Sequence, residues 1–147
     1  PAAFIAKNEL LRQPIARLFL TRLGAAFVER HDLQRSVDDA RRLVDLVEQG
    51  RSLLVFPEGT FVAAPGLLPF HLGAFLAAAQ AGAPVLPVTI RGTRELLPDG
   101  RWWARRAAVE VVIDAPIAAA AEGELFARAV QLRTAARSVI LRRLAQP

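Results

Sequence analysis

Residues 53–61 read LLVFPEGTF: four large apolar residues run straight into a proline, a carboxylate, a glycine and a hydroxyl. Proline lacks the donor that a strand ladder needs and stops the pairing, and glycine tolerates positive φ or lets a ligand approach the backbone. Glu58 and Thr60 then put polar atoms at the end of a strand, where ligands of open parallel sheets bind. Two readings of Glu58, Gly59 and Thr60 stand on these residues alone: an ordinary strand-to-loop turn, and recognition of a phosphate or hydroxyl. Glu29–Arg30 closes a second apolar run in the same way, and Lys7, the one lysine, follows a third. His31 and Asp32 are adjacent and read as loop residues before they read as a catalytic pair.

The elements that must position these groups alternate along the chain. Phe4–Ala6 is a short strand, and Pro14 then opens a helix with Ile15, Leu18, Phe19 and Leu23 on one face and Gly24 at its end. Ala25–Val28 reads as a strand. Ser36 with Asp39 three residues on is a capping-box-like start for a helix with the stripe Val37, Ala40, Leu43, Val44 and Val47, ended by Gly50. Leu53–Phe56 and Val85–Ile90 are continuous apolar runs, the pattern of strands buried on both faces, with Pro87 implying an edge or bulge in the second. Gly73–Ala81 is a small-residue helix, and Val109–Ile113 a further strand. The last helix carries Leu125, Ala129, Leu132, Ala136 and Val139 as its stripe, acids at its positive end (Glu122, Glu124) and Arg142 and Arg143 at its negative end. Strands separated by helices predict an α/β fold, a mainly parallel or mixed central sheet covered by helices.

At 147 residues, 53% of them hydrophobic, the expectation is one domain over residues 1–147. The chain has no Met and starts at Pro1, so it reads as a piece of something longer. It has no Cys, which excludes disulfides, thiol nucleophiles and thiolate metal sites; with two histidines besides, no metal site is expected. The net charge of +5 points to an anionic partner: nucleic acid, an anionic membrane surface or a phosphorylated small substrate. Nucleic acid is set aside because the arginines are scattered over helices without a platform of stacking aromatics. From Glu58 to Arg91 no Asp, Glu, Lys or Arg intervenes, yet Pro65, Gly66, Pro69, Gly73, Gly82, Pro84 and Pro87 cut the stretch below the ~20 apolar residues of a spanning helix. Trp102 and Trp103, between Arg101 and Arg105–Arg106, fit a membrane interface and a packed hairpin equally well.

The order of three segments resolves the ambiguity of the turn. GAAFVER at 24–30, FPEGT at 56–60 and PVLPVTI at 84–90 resemble, in order and spacing, successive blocks of the glycerolipid acyltransferase family, the family of the lysophosphatidic acid acyltransferases. The opening FIAKNELLRQPIARLFLTRLG is similar to the segment between that family's first and second blocks, so the resemblance covers nearly the whole chain.

The resemblance implies transfer of a fatty acyl group from a thioester, coenzyme A or acyl carrier protein, to a hydroxyl of a lysophospholipid-type acceptor, foremost 1-acylglycerol-3-phosphate, in phospholipid biosynthesis or remodelling. It implies no cofactor beyond that thioester, and attachment at the cytoplasmic face of the membrane. Arg30 would contact the acceptor phosphate, for which a fork of guanidinium donors is suited. Glu58, Gly59 and Thr60 would shape the same pocket, and Pro87 would belong to the acyl-donor side or to a bulge that serves packing. The family's general base is the His of a His-x4-Asp block. Five residues after His31 stands Ser36 and five after His71 stands Leu76, so the block is absent from these 147 residues and is expected upstream. A non-catalytic lipid-binding or regulatory module that retains only the acceptor pocket is the alternative. Many members carry Arg after the Thr of FPEGT; this chain has Phe61, which removes a phosphate contact.

Overall fold

Three of the apolar runs meet as parallel strands. The computed structural model describes residues 3–7, 26–28, 33–59, 66–96, 103 and 105–145. In it β1 (Ala3–Lys7), β2 (Ala26–Val28) and β3 (Leu53–Leu54) form a sheet in the order β2-β1-β3. β1 is central: Ile5, Ala6 and Lys7 lie opposite Ala26, Phe27 and Val28 on one side, and Ala3 and Phe4 lie opposite Leu53 and Leu54 on the other. Both ladders are parallel, so the three carboxyl ends share one edge. Successive strands that run parallel need a crossover, and α1 (Leu33–Glu48) supplies the one that carries the chain from β2 past β1 to β3. The helix expected at 14–23 and the cluster at 29–32 lie outside the described residues.

α1 begins three residues before the expected Ser36 cap. Asp32, immediately ahead of Leu33, is itself a capping residue type and is the competing signal in the sequence. Its end is as expected: Gly50 has φ +74°, its amide donates to Val47 O at 2.9 Å, and the Arg51 amide donates to Leu46 O at 3.0 Å. These paired bonds close a Schellman motif, which requires the left-handed conformation that glycine adopts without strain.

α2 (Gly73–Gln80) is short and rich in alanine because it is packed on both sides. Ala77 meets Leu43 and Val44 of α1, while Ala78 and Ala79 meet Ala129, Leu132 and Ala136 of α4 (Leu125–Leu144). Ala79 and Ala129 are both 0% exposed, so any larger side chain there would have to push two helices apart. Phe70 and Phe75 complete this core with nearly parallel rings, centroids 6.2 Å apart. The stripe read for α4 is buried at its centre; Leu125 and Val139, at its ends, are not.

Two expected strands are corrected. The run Leu53–Phe56 leaves the ladder after Leu54, and Phe56 is 59% exposed instead of buried on both faces. Val85–Ile90 is split: Val85 makes an isolated bridge to Ile117, and β4 (Val88–Arg91) pairs antiparallel with β5 (Glu110–Ile113). Leu86 and Pro87 on one side oppose residues 114–116 on the other, a bulge with one extra residue on the far strand. Ile90, 42% exposed, sits on the uncovered face of this ladder, whereas Thr89 beside it is buried. Among the described residues the sheet is therefore mixed, in two pieces: a parallel trio and an antiparallel pair. None of the described helices is long and apolar enough to cross a membrane.

After β4 the chain turns at Gly92 into the short α3 (Thr93–Leu96). Gly92 has φ +82°, and a Cβ there would stand 1.9 Å from Ala108 O. Gly82 also has positive φ, +63°, but open space around it. Gly82→Ala should therefore cost about 1–2 kcal/mol, and Gly92→Ala about 3 kcal/mol or more, since the hairpin backbone must move as well. Equal urea midpoints for the two variants would refute the close approach.

Candidate functional site

Phe56, Pro57, Glu58 and Gly59 form a β-turn, closed by the Gly59 amide donating to Phe56 O at 3.1 Å. Proline in the second place and glycine in the fourth are the types such a turn favours. Gly59 is buried with φ +72°, a conformation that would strain any other residue.

The turn is tied to the segment that returns to α2. The His71 amide donates to Pro57 O at 2.8 Å, and the Leu68 amide donates to Glu58 Oε2 at 2.8 Å. The half-buried Glu58 carboxylate thus holds loop backbone, a role the sequence did not disclose. A carboxylate has about four lone-pair sites, so this bond leaves acceptor capacity for a ligand hydroxyl.

Arg30, Thr60 and Phe61 lie outside the described residues, as do His31, Asp32, Arg101 and Trp102. The strands that lead to Arg30 and Glu58 are described. Val28 ends β2 opposite Lys7, β3 runs parallel on the other side of β1, and the chain leaves for both residues from one sheet edge. Pro87 is buried in the bulge, with its carbonyl accepting from the Asp114 amide at 3.0 Å, so ladder packing accounts for what is seen of it. Trp103 is 84% exposed.

The contacts made by the arginines of α4 are what the sequence reading passed over. The helix carries five of them and no acid. Arg128 Nη2 donates to Ala79 O at 2.8 Å, covering a carbonyl in the last turn of α2. Arg137 Nη2 donates to Leu67 O at 3.0 Å, with Nε 3.5 Å from Leu68 O. Arg143 clasps Asp114 at 2.7 and 2.9 Å. This bond holds the Asp114 carboxyl below the usual aspartate value, so its stabilising effect is present above that value and is lost as pH falls through the lowered one. Between α4 and the loop stem lies an open cleft of about 290 Å³, lined by Pro69, Phe70, Arg133, Thr134, Arg137 and Ser138. A search for apolar stripes counts only positions 125, 129, 132, 136 and 139; the spacing of Arg133 and Arg137, four apart on one face, was the available signal. Among the described residues no group of three or more His, Asp or Glu is arranged to hold a metal ion.

The family described as Acyltransferase matches residues 1–91. The chloroplastic 1-acyl-sn-glycerol-3-phosphate acyltransferase of Brassica napus is 36% identical over 115 residues, 78% of this chain and 33% of the relative. The lyso-ornithine lipid O-acyltransferase of Pseudomonas aeruginosa is 33% identical over 101 residues, 69% of this chain and 39% of that protein. The crystal structure of the 1-acyl-sn-glycerophosphate (LPA) acyltransferase PlsC from Thermotoga maritima superposes with a TM-score of 0.74 at 29% identity, over 96% of this chain and 54% of that one. The chain spans well under half the length of the curated relatives it matches.

Proposed function

The chain belongs to the Acyltransferase family, and from that premise we propose that the complete protein transfers a fatty acyl group from a thioester to the free hydroxyl of lysophosphatidic acid. The observation that carries this reading is the Phe56–Gly59 turn at the carboxyl edge of a parallel sheet, in a fold shared with an LPA acyltransferase over 96% of the chain.

The acceptor hydroxyl attacks the thioester carbonyl, a base takes its proton, donors stabilise the oxyanion, and the thiol leaves as the ester forms. The base is the His of a His-x4-Asp block carried ahead of β1 in the complete protein. Arg30 grips the acceptor phosphate, while Glu58 and Gly59 shape the loop beside it and Thr60 adds a hydroxyl. The donor is coenzyme A or acyl carrier protein, and no further cofactor takes part. The reaction runs at the cytoplasmic face of the membrane, where an exposed Trp103 beside Arg105 and Arg106 suits the interface.

Phe61 bears on the acceptor, since a relative of this chain is named for lyso-ornithine lipid. Offered lysophosphatidic acid and a zwitterionic lyso-lipid with one donor, the complete protein should acylate lysophosphatidic acid preferentially. Phe61→Arg should raise that preference about tenfold or more, as a charge-assisted phosphate contact is worth about 1.5–3 kcal/mol. A preference for the zwitterionic acceptor would overturn the assigned substrate, and a ratio unmoved by Phe61→Arg would remove Phe61 from the acceptor site.

A further inference from the structure

Leu67 O and Leu68 N–H are the two ends of a single peptide group, and that group is gripped at both. Arg137 of α4 donates to the oxygen at 3.0 Å, and Glu58 Oε2 accepts from the nitrogen at 2.8 Å. A peptide group is planar and stiff, so a guanidinium fixing its oxygen also fixes where its N–H points. Both bonds are charge-assisted, and the cation at one end and the anion at the other polarise the same amide in the same sense. On the C-terminal side of this link the loop stem is anchored by the buried Phe70 ring and by the His71 amide on Pro57 O.

From this geometry we infer that Arg137 is a positioning residue for the Phe56–Gly59 turn that carries Glu58, acting through the Leu67–Leu68 peptide. The residue lies beyond the 1–91 segment that carries the family match. Its neighbours on α4 serve other ends: Arg128 reaches the last turn of α2, and Arg143 reaches Asp114. Arg137 is the described arginine of this helix whose bond leads into the turn. The inference rests on the proposed function in one respect, that the turn serves the acceptor.

The test uses the complete protein with Arg137→Gln, Arg137→Lys and, as comparator, Arg128→Gln. Two readouts are taken: hydrogen exchange over residues 66–71, and KM for lysophosphatidic acid against KM for the acyl thioester. Arg137→Gln should speed exchange in the segment about tenfold and raise the acceptor KM by a similar factor with the donor KM unchanged. Arg137→Lys, which keeps a donating cation and loses the planar fork, should recover part of both effects. Arg128→Gln should lower the thermal midpoint and leave the acceptor KM alone. Unchanged exchange in Arg137→Gln, faster exchange with an unchanged acceptor KM, or an equal KM rise in Arg128→Gln would each overturn the positioning role. If the wild-type protein acylates no lysophospholipid, it is the proposed function that falls, and the exchange comparison still decides whether Arg137 orders the loop.

Discussion

Given an acyl thioester and lysophosphatidic acid, the 147-residue chain on its own will form no product above a boiled control. An alcohol with a pKa far above 7 attacks a thioester slowly unless a base removes its proton, and that help is typically worth about 10²–10⁴-fold. Neither histidine has an aspartate five residues on: Ser36 follows His31 at that distance and Leu76 follows His71. His71 is exposed, and its backbone amide is engaged in closing the loop on Pro57. A longer form of the protein that carries a His-x4-Asp block ahead of β1 should turn over, and changing that His to Ala should abolish the activity again. Product from the 147 residues alone would send the search for a base back to His31 and His71.

Arg30→Ala in the complete protein should lower kcat/KM for lysophosphatidic acid by about 2–5 kcal/mol, roughly thirtyfold to several thousandfold, the cost of leaving a desolvated charge without its partner. The loss should be confined to phosphate-bearing acceptors. Arg30→Lys should recover only part of it, since an ammonium cannot bond two phosphate oxygens with the geometry of a guanidinium. β2, which precedes Arg30 in the sequence, and β3, which precedes Glu58, flank β1 in parallel, so both strands end at the same sheet edge. Acceptor kinetics unchanged in Arg30→Ala would make this residue a solvated surface charge.

The strands β1 and β2 were legible because short apolar runs bounded by polar clusters have few other solutions. The start of α1 was not, because Asp32 and Ser36 are both capping types and local pattern does not rank them. Hydropathy also overstated Leu53–Phe56: the chain leaves the ladder where the proline turn begins, and Phe56 projects into solvent. Pro87 announced a bulge, but not that the extra residue belongs to the opposite strand, because that depends on the register with Ile113 and Ile117. At the site, residue types alone left FPEGT between a plain turn and a recognition loop, and the ordered resemblance of three blocks is what favours the proposed recognition role. The bond from Leu68 to Glu58 spans ten residues, and that from Arg137 to Leu67 spans seventy. Contacts of that separation are made by tertiary packing and leave no periodic trace in sequence.

The most direct measurement follows both halves of the reaction at once, thiol release and lipid product, with the complete protein, an acyl thioester and lysophosphatidic acid. The proposed acyl transfer predicts one phosphatidic acid formed for each thiol released, with release dependent on the lysophospholipid. Saturable binding of lysophosphatidic acid with no phosphatidic acid formed, or thiol release that does not depend on the acceptor, would contradict it and leave a lipid-binding module in its place.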